Sequence, residues 1–331
     1  MLRAALLALF LLPISGGSSV SQENPDPANY YIDASGAGSF WALRINDVTI
    51  WRHFEAEDTN FSLPVNVFLQ EGRNEIDVTF VTIAGSPIKY NAASPNFHYL
   101  AELDRIELSS RDSARITLLN LALDQAENQV YAPEQTFFGL PVKTRDTPPM
   151  RVGRDRADQA ELADGWGEQW TGRRVAASFD IPDPLPDPPW ASAPVIEDSP
   201  QTRAALLDAY RRLHAVLQSG DRRQVLAAYD TAWRHVAQSM HYASLEEYLE
   251  KVRPLEDLAP RDGEGTALQP VDLVMGPQDF QIERMAGGRL IRIIPDPIIW
   301  SNESDPDFVF SSNVAFFMDP QGDLVIGAVL Y

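Results

Sequence analysis

The sequence predicts two domains, an all-β sandwich followed by an α+β unit whose helices pack on a curved antiparallel sheet. Three observations lead there. The first half alternates apolar and polar residues with period two, which marks half-buried strands. The second half opens on apolar residues three and four apart, a helical stripe, and then returns to alternation. Between them lies a proline-rich stretch, 182–198, containing PDPLPDPPWASAP. Proline fixes φ and removes a donor, so this stretch extends the chain. The domain boundary is placed there, because 331 residues exceed what one core usually organises.

In chain order, residues 1–21 read as a secretory signal. Arg3 supplies the positive start, an apolar run follows at 4–12, and Pro13 and small residues precede a cleavage site. The apolar run is too short to span a bilayer. The first domain, 22–181, offers strands at 40–45 and 48–51 around an Asn46-Asp47 turn. A third is expected at 63–69, with Val65, Val67 and Leu69 on one face. A turn at 71–74 leads to Ile76, Val78 and Phe80 on one side, with Asp77 and Thr79 on the other. Further strands are expected at 101–108, 115–122 and 129–131. Residues 144–174 mix arginine with acids and read as a solvated loop with a short helix near 158–162. The alternative is a partner-binding loop carrying Arg151, Arg154, Trp166 and Trp170, the residue types that dominate hot spots.

The second domain, 199–331, begins with Ser199 as a cap and Pro200 at the first helical position. Leu206, Tyr210, Leu213 and Leu217 form one stripe and Gly220 ends it. Asp221 to Gln224 and Ser244 to Glu247 have capping-box spacing and open two more helices. Pro254 stops the third. Strands follow at 271–275, 280–285, 289–294, 313–318 and 324–330, with turns at Gly287-Gly288 and 319–322.

Two resemblances rest on these segments. LRINDVTIW followed by SLPVNVFLQEGRNEIDVTFV resembles the accessory jelly-roll β-sandwich of many carbohydrate-active and extracellular proteins. LLDAYRRLHAVLQSGDRRQVLAAYD, SLEEYLEKV and AFFMDPQGDLVIGAVLY resemble helices and closing strands of the nuclear-transport-factor-like, cone-shaped α+β superfamily. That family often has a strand between the second and third helices, where this chain has only QSMHYA. The superfamily includes hydrolases, isomerases, cyclases and non-enzymatic binding domains, so fold by itself does not choose among them.

Composition excludes several chemistries. There is no cysteine, so disulfides, thiolate catalysis, cysteine-ligated metals and lipid attachment at a lipobox are all ruled out. A net charge of −20 argues against nucleic-acid binding through a broad basic face. No G-x-S-x-G, P-loop or dinucleotide fingerprint occurs, and no cofactor is implied. The five histidines lack metal-ligand spacing. The acidic run 302–307 can offer oxygens to calcium, but without the glycine of a calcium loop it reads as a solvated turn.

What remains is a periplasmic or extracellular protein. It is expected to be a non-catalytic binding protein of the bacterial envelope, recognising a protein or a glycan, with an immunity-type protein as one concrete form. The alternative is an enzyme acting on a small or sugar-like substrate in a cavity of the cone-like unit. Tyr229, Trp233, His235, Arg292 and Trp300 are the candidates to line that cavity, with His235 beside a carboxylate as the acid–base pair. A third reading is a lectin using Trp41, Trp51, Tyr90, Phe97 and Tyr99 as a sugar platform. The bland reading of all these rings is core packing.

Overall fold

The computed structural model describes residues 27–92, 94–124, 129–131, 135–137, 140–144, 159–163, 168–258, 266–270, 280–302 and 305–330. The expected export signal lies outside them, as do Arg151, Arg154, Trp166 and the strand expected at 271–275.

The described first half is made of strands and one 3-10 turn. They are β1 (Ala28–Ala37), β2 (Ser39–Ile45), β3 (Val48–His53), β4 (Thr59–Pro64), β5 (Gly72–Ala84), β6 (Lys89–Tyr90), β7 (His98–Glu107), β8 (Ser113–Asp124), β9 (Gln129–Tyr131), β10 (Gln135–Phe137), β11 (Leu140–Thr144), β12 (Gln159–Ala163) and β13 (Gln169–Ile181). One sheet runs β4-β1-β7-β8-β9. The other runs β10-β11-β13-β5-β2-β3, with β12 added beside β13 and β6 beside β5. Alternation decides the faces. Trp41, Leu43, Ile45, Ile76, Val78 and Phe80 turn inward against Tyr30, Ile32, Tyr99 and Leu103 of the facing sheet, in one apolar core.

Two local expectations are corrected. The segment 63–69 is not one strand: β4 ends at Pro64 and Asn66–Phe68 forms a 3-10 turn. The Asn66 side chain accepts from Tyr30 N–H (2.7 Å) and donates to the carbonyls of Ala28 (3.1 Å) and Ser239 (2.9 Å), drawing the chain out of line. Instead of a helix near 158–162, β12 pairs antiparallel with β13, Leu162 opposite Trp170. The next strand in the chain offers it a ladder, and that pairing outweighs local propensity.

The second half opens with α1 (Pro200–Ser219), α2 (Arg222–Ser239), α3 (Leu245–Val252) and the single turn α4 (Pro254–Asp257). The caps sit where the sequence puts them. Ser199 accepts from Thr202 N–H, Gly220 is left-handed at φ 66°, Asp221 accepts from the amides of Arg223 and Gln224, and Ser244 accepts from Glu247 N–H. Arg253, left-handed at φ 57°, ends α3, and Pro254 opens α4. Residues 240–244 carry no strand. Then come β14 (Thr266–Leu268), β15 (Gln281–Met285), β16 (Leu290–Ile294), β17 (Ile299–Asn302), β18 (Asp305–Ser311), β19 (Val314–Met318) and β20 (Leu324–Val329). They form the antiparallel sheets β14-β17-β18 and β15-β16-β19-β20. The β17–β18 hairpin stands where sequence offered only an acidic turn. Among the described residues no helix is long and apolar enough to cross a membrane.

The proline-rich stretch is extended, yet it is pinned along its length. Asp183 is buried. It accepts two hydrogen bonds from Arg105, each 2.8 Å, and one from the Tyr30 hydroxyl. Leu185, Trp190 and Ile196 are buried as well. Apolar contact is continuous from the first half through Trp190 to Met285, Leu290, Phe317 and Leu330. Polar contacts cross the same seam: His241 Nε2 lies 3.0 Å from Ala28 O, and Gly287 N–H donates to Asp47 at 2.8 Å.

Candidate functional site

The five residues expected around one cavity lie in three places. Tyr229 and Trp233, four apart on α2, stack at 4.8 Å and belong to an apolar core with Trp300, which stacks on Phe310 at 4.7 Å. These rings pack as core residues. The Tyr229 hydroxyl is buried there without a hydrogen-bond partner. Burial, with a smaller effect from Asp296, pushes its pKa far up.

His235 points the other way, into the seam. Its Nε2 lies 3.0 Å from Val67 O, its Nδ1 lies 3.4 Å from Ser239 Oγ, and Trp190 meets the ring edge-on. The partner is a backbone carbonyl, not the carboxylate expected of an acid–base pair. Burial pushes the imidazole pKa down despite that bond.

Arg292 belongs to a charged cluster beneath the seam. Glu283 on β15 is 5 % exposed and receives Arg292 Nε (2.6 Å), Arg52 Nη2 (2.6 Å), Thr49 Oγ1 (2.6 Å) and, more loosely, Arg44 Nη2 (3.5 Å). Burial works to raise its pKa, but the three guanidinium groups outweigh it and hold the carboxyl well below its usual range. Arg44 and Arg52 come from β2 and β3, so this cluster joins the two halves of the chain.

Of the rings offered as a sugar platform, Trp41, Phe97 and Tyr99 are core residues. Tyr90 is exposed and tilts against Trp170, at 5.3 Å. Trp170 also stacks on Phe54 (5.9 Å) and meets Phe40 edge-on. Half-buried, it caps a small apolar cluster on the outer face of the eight-stranded sheet.

Two clefts border the charged cluster. The smaller, about 210 Å³, is lined by Trp51, Arg52, Arg292, Asp296, Ser311 and Asn313 among others. Burial pushes Asp296 up to about 6, but both its oxygens are engaged, by Ile298 N–H and by Ser312 Oγ, each at 2.8 Å. The larger cleft, about 370 Å³, was not anticipated from sequence. Register explains it. Arg52 of β3 lies opposite Ala42 of β2, Ala42 opposite Thr79 of β5, and Thr79 opposite Arg174 of β13. Two small residues therefore form a floor between two arginines. At about 4.8 Å per strand the arginine Cα atoms stand roughly 14 Å apart. One wall is β12; the other is β15 with Arg203, and Arg44 and Arg284 complete the rim.

Five arginines and two glutamates line this cleft in a chain of net charge −20. Four of the arginines already face a carboxylate: Arg44 faces Asp47, Arg52 faces Glu283, Arg203 faces Asp198 and Arg284 faces Glu197. Arg174 has no hydrogen bond or ion pair to any described residue. Behind it Asp77 is 3 % exposed, with Oδ1 unpartnered. Burial pushes this carboxyl up to about 6, against the pull of Arg44 and Arg174. Among the described residues no group of three His, Cys, Asp or Glu side chains is placed to hold a metal ion. No protein-family model, curated protein or solved structure matches this chain.

Proposed function

We propose that this is an exported, non-catalytic binding protein of the bacterial envelope, in which a jelly-roll-like β-sandwich is joined to a cone-like α+β unit. Its partner, a glycan or a protein, presents an anionic group to the larger cleft. The observation that carries this reading is the concentration of arginine at one concave site of an acidic chain, with one guanidinium that meets no partner among the described residues. A free guanidinium at a cleft floor is a prepared receptor for a planar anion.

The export half of the reading rests on the first 21 residues and is tested by fractionating cells for a shortened periplasmic or secreted form. The binding half is tested with immobilised mature protein against the glycan and protein fractions of an envelope extract. Arg174→Glu should abolish retention of the specific partner. Equal retention by the wild type and the variant would remove the cleft from the account. The competing enzyme reading draws on Asp296 in the smaller cleft, and it requires turnover that Asp296→Asn destroys.

A further inference from the structure

We infer that the larger cleft binds a small ligand bearing one carboxylate on an otherwise uncharged, hydrogen-bonding body, and that Arg174 receives the carboxylate. This rests on the reading of the protein as a binding protein acting at that cleft, and adds the chemistry of its ligand.

Size comes first. About 370 Å³ lies at the lower end of small-molecule sites, enough for a single sugar or amino acid and too small for a folded partner's face. Charge comes next. Four of the five arginines face their own carboxylates, and Arg174, with buried Asp77 beside it and Glu161 also on the lining, is the one whose N–H groups no described residue occupies. A ligand with several charges would leave some of them desolvated and unpaired, which is costly. It would also approach against the field of a chain at −20, whereas a single charge on a neutral body is repelled weakly and only within about 8 Å at physiological salt.

Shape selects a carboxylate over a spherical anion. A guanidinium presents parallel N–H groups that match two coplanar oxygens. Buried Asp77, two residues along β5 from the Thr79 that pairs with Arg174, forms no hydrogen bond with that guanidinium and leaves its N–H groups open to a ligand. The rest of the lining specifies the body. Gln169, Gln281 and Thr79 offer amide and hydroxyl groups, and Leu162 and Phe280 offer apolar faces. Hydroxyls alternating with a C–H face, as on a sugar acid, answer both.

The test is calorimetric titration of the mature chain with D-glucuronate, L-glutamate, D-glucose and inorganic sulfate at fixed ionic strength. Saturable binding of glucuronate is expected, with D-glucose at least tenfold weaker and sulfate failing to compete at equal concentration. L-glutamate, with two carboxylates and an ammonium, should bind at least tenfold more weakly than glucuronate. Arg174→Ala should weaken binding at least tenfold. Arg174→Lys, which keeps the charge and loses the fork, should recover part of it. Arg115→Ala, on β8 of the other sheet, should bind like wild type. Removing the Arg174 side chain breaks no hydrogen bond to a described residue, and the variant's circular dichroism checks that it keeps its fold. Failure of glucuronate to bind, equal or tighter binding of L-glutamate, equal binding of glucose, competition by sulfate or indifference to Arg174→Ala each overturns the inference. If glucuronate fails while Arg174→Glu still abolishes envelope retention, the cleft survives as the binding site and the ligand chemistry alone is wrong.

Discussion

Replacing Glu283 with glutamine removes one negative charge from a site that holds three guanidinium groups together. In the wild type the carboxylate takes hydrogen bonds from Arg292, Arg52 and Thr49, each 2.6 Å, and lies 3.5 Å from Arg44. Glutamine keeps the volume and one acceptor, but three positive charges then face each other. Arg292 is only 7 % exposed, so water cannot screen it. Breaking a buried pair from one side costs about 3–5 kcal/mol. Arg44 and Arg52 reach solvent in part, which places the expected loss near the lower end, about 3 kcal/mol.

The assay is urea unfolding at pH 7, where the midpoint should fall with the slope unchanged. An acid series adds a sign. The folded pKa of Glu283 lies below its ordinary 4.5. The stability it contributes is therefore complete above 4.5 and drains away as pH falls through 4.5 toward the folded value. The gap between wild type and Glu283→Gln should narrow in acid. A loss under about 1 kcal/mol at pH 7, or a gap that widens in acid, would refute the claim that this carboxylate clamps the seam. Glu283→Met with Arg292→Met should recover much of the loss, because packed apolar groups replace a desolvated pair at little cost.

Three other perturbations probe the same architecture. Asp77→Asn should be stabilising at pH 8 and neutral below pH 4, since raising the carboxyl from 3.8 to about 6 means the folded state loses stability as pH climbs through that window. The shift corresponds to at most about 3 kcal/mol, measurable as a pH-dependent midpoint difference, and equal destabilisation at both pH values would contradict it. Asn66→Ala should strip partners from Tyr30 N–H and from the carbonyls of Ala28 and Ser239, at about 3 kcal/mol or more, with faster hydrogen exchange at the Tyr30 amide; unchanged exchange would disprove its bridging role. Native-state thermolysin should spare 182–198 in the wild type, because Asp183, Leu185, Trp190 and Ile196 hold it down, and should cut there in Asp183→Ala; early cleavage of the wild type would show an open tether instead.

Much of the local structure was legible because its causes are local. The Ser199, Asp221 and Ser244 caps and the left-handed Gly220 depend on residues within one helical turn, and all four stand where sequence puts them. The alternation of Ile76, Val78 and Phe80 against Asp77 and Thr79 likewise fixed which face of β5 enters the core. Causes that reach beyond one helical turn were missed. β12 exists because β13 offers it a ladder, and the chain breaks at Asn66 because that side chain bonds to Ser239, far away in sequence.

The candidate site shows the same division. Tyr229 and Trp233 share a helical stripe, and sequence cannot distinguish a stripe that lines a cavity from one that fills a core. His235, two residues beyond Trp233, turns to the opposite side of α2 and meets Val67. Arg52 and Arg174 carry no motif between them; strand pairing sets them at the two ends of one row.

Sequence by itself determined the strand-then-helix order, the helix caps, the absence of thiol chemistry and the acidic balance, because each follows from composition or from neighbours a few residues apart. Tertiary structure alone decided which arginines meet a carboxylate, which rings are buried and where a cleft opens. Those depend on the register of strands brought together from distant parts of the chain, and a one-residue slip would have sent every one of those side chains to the other face.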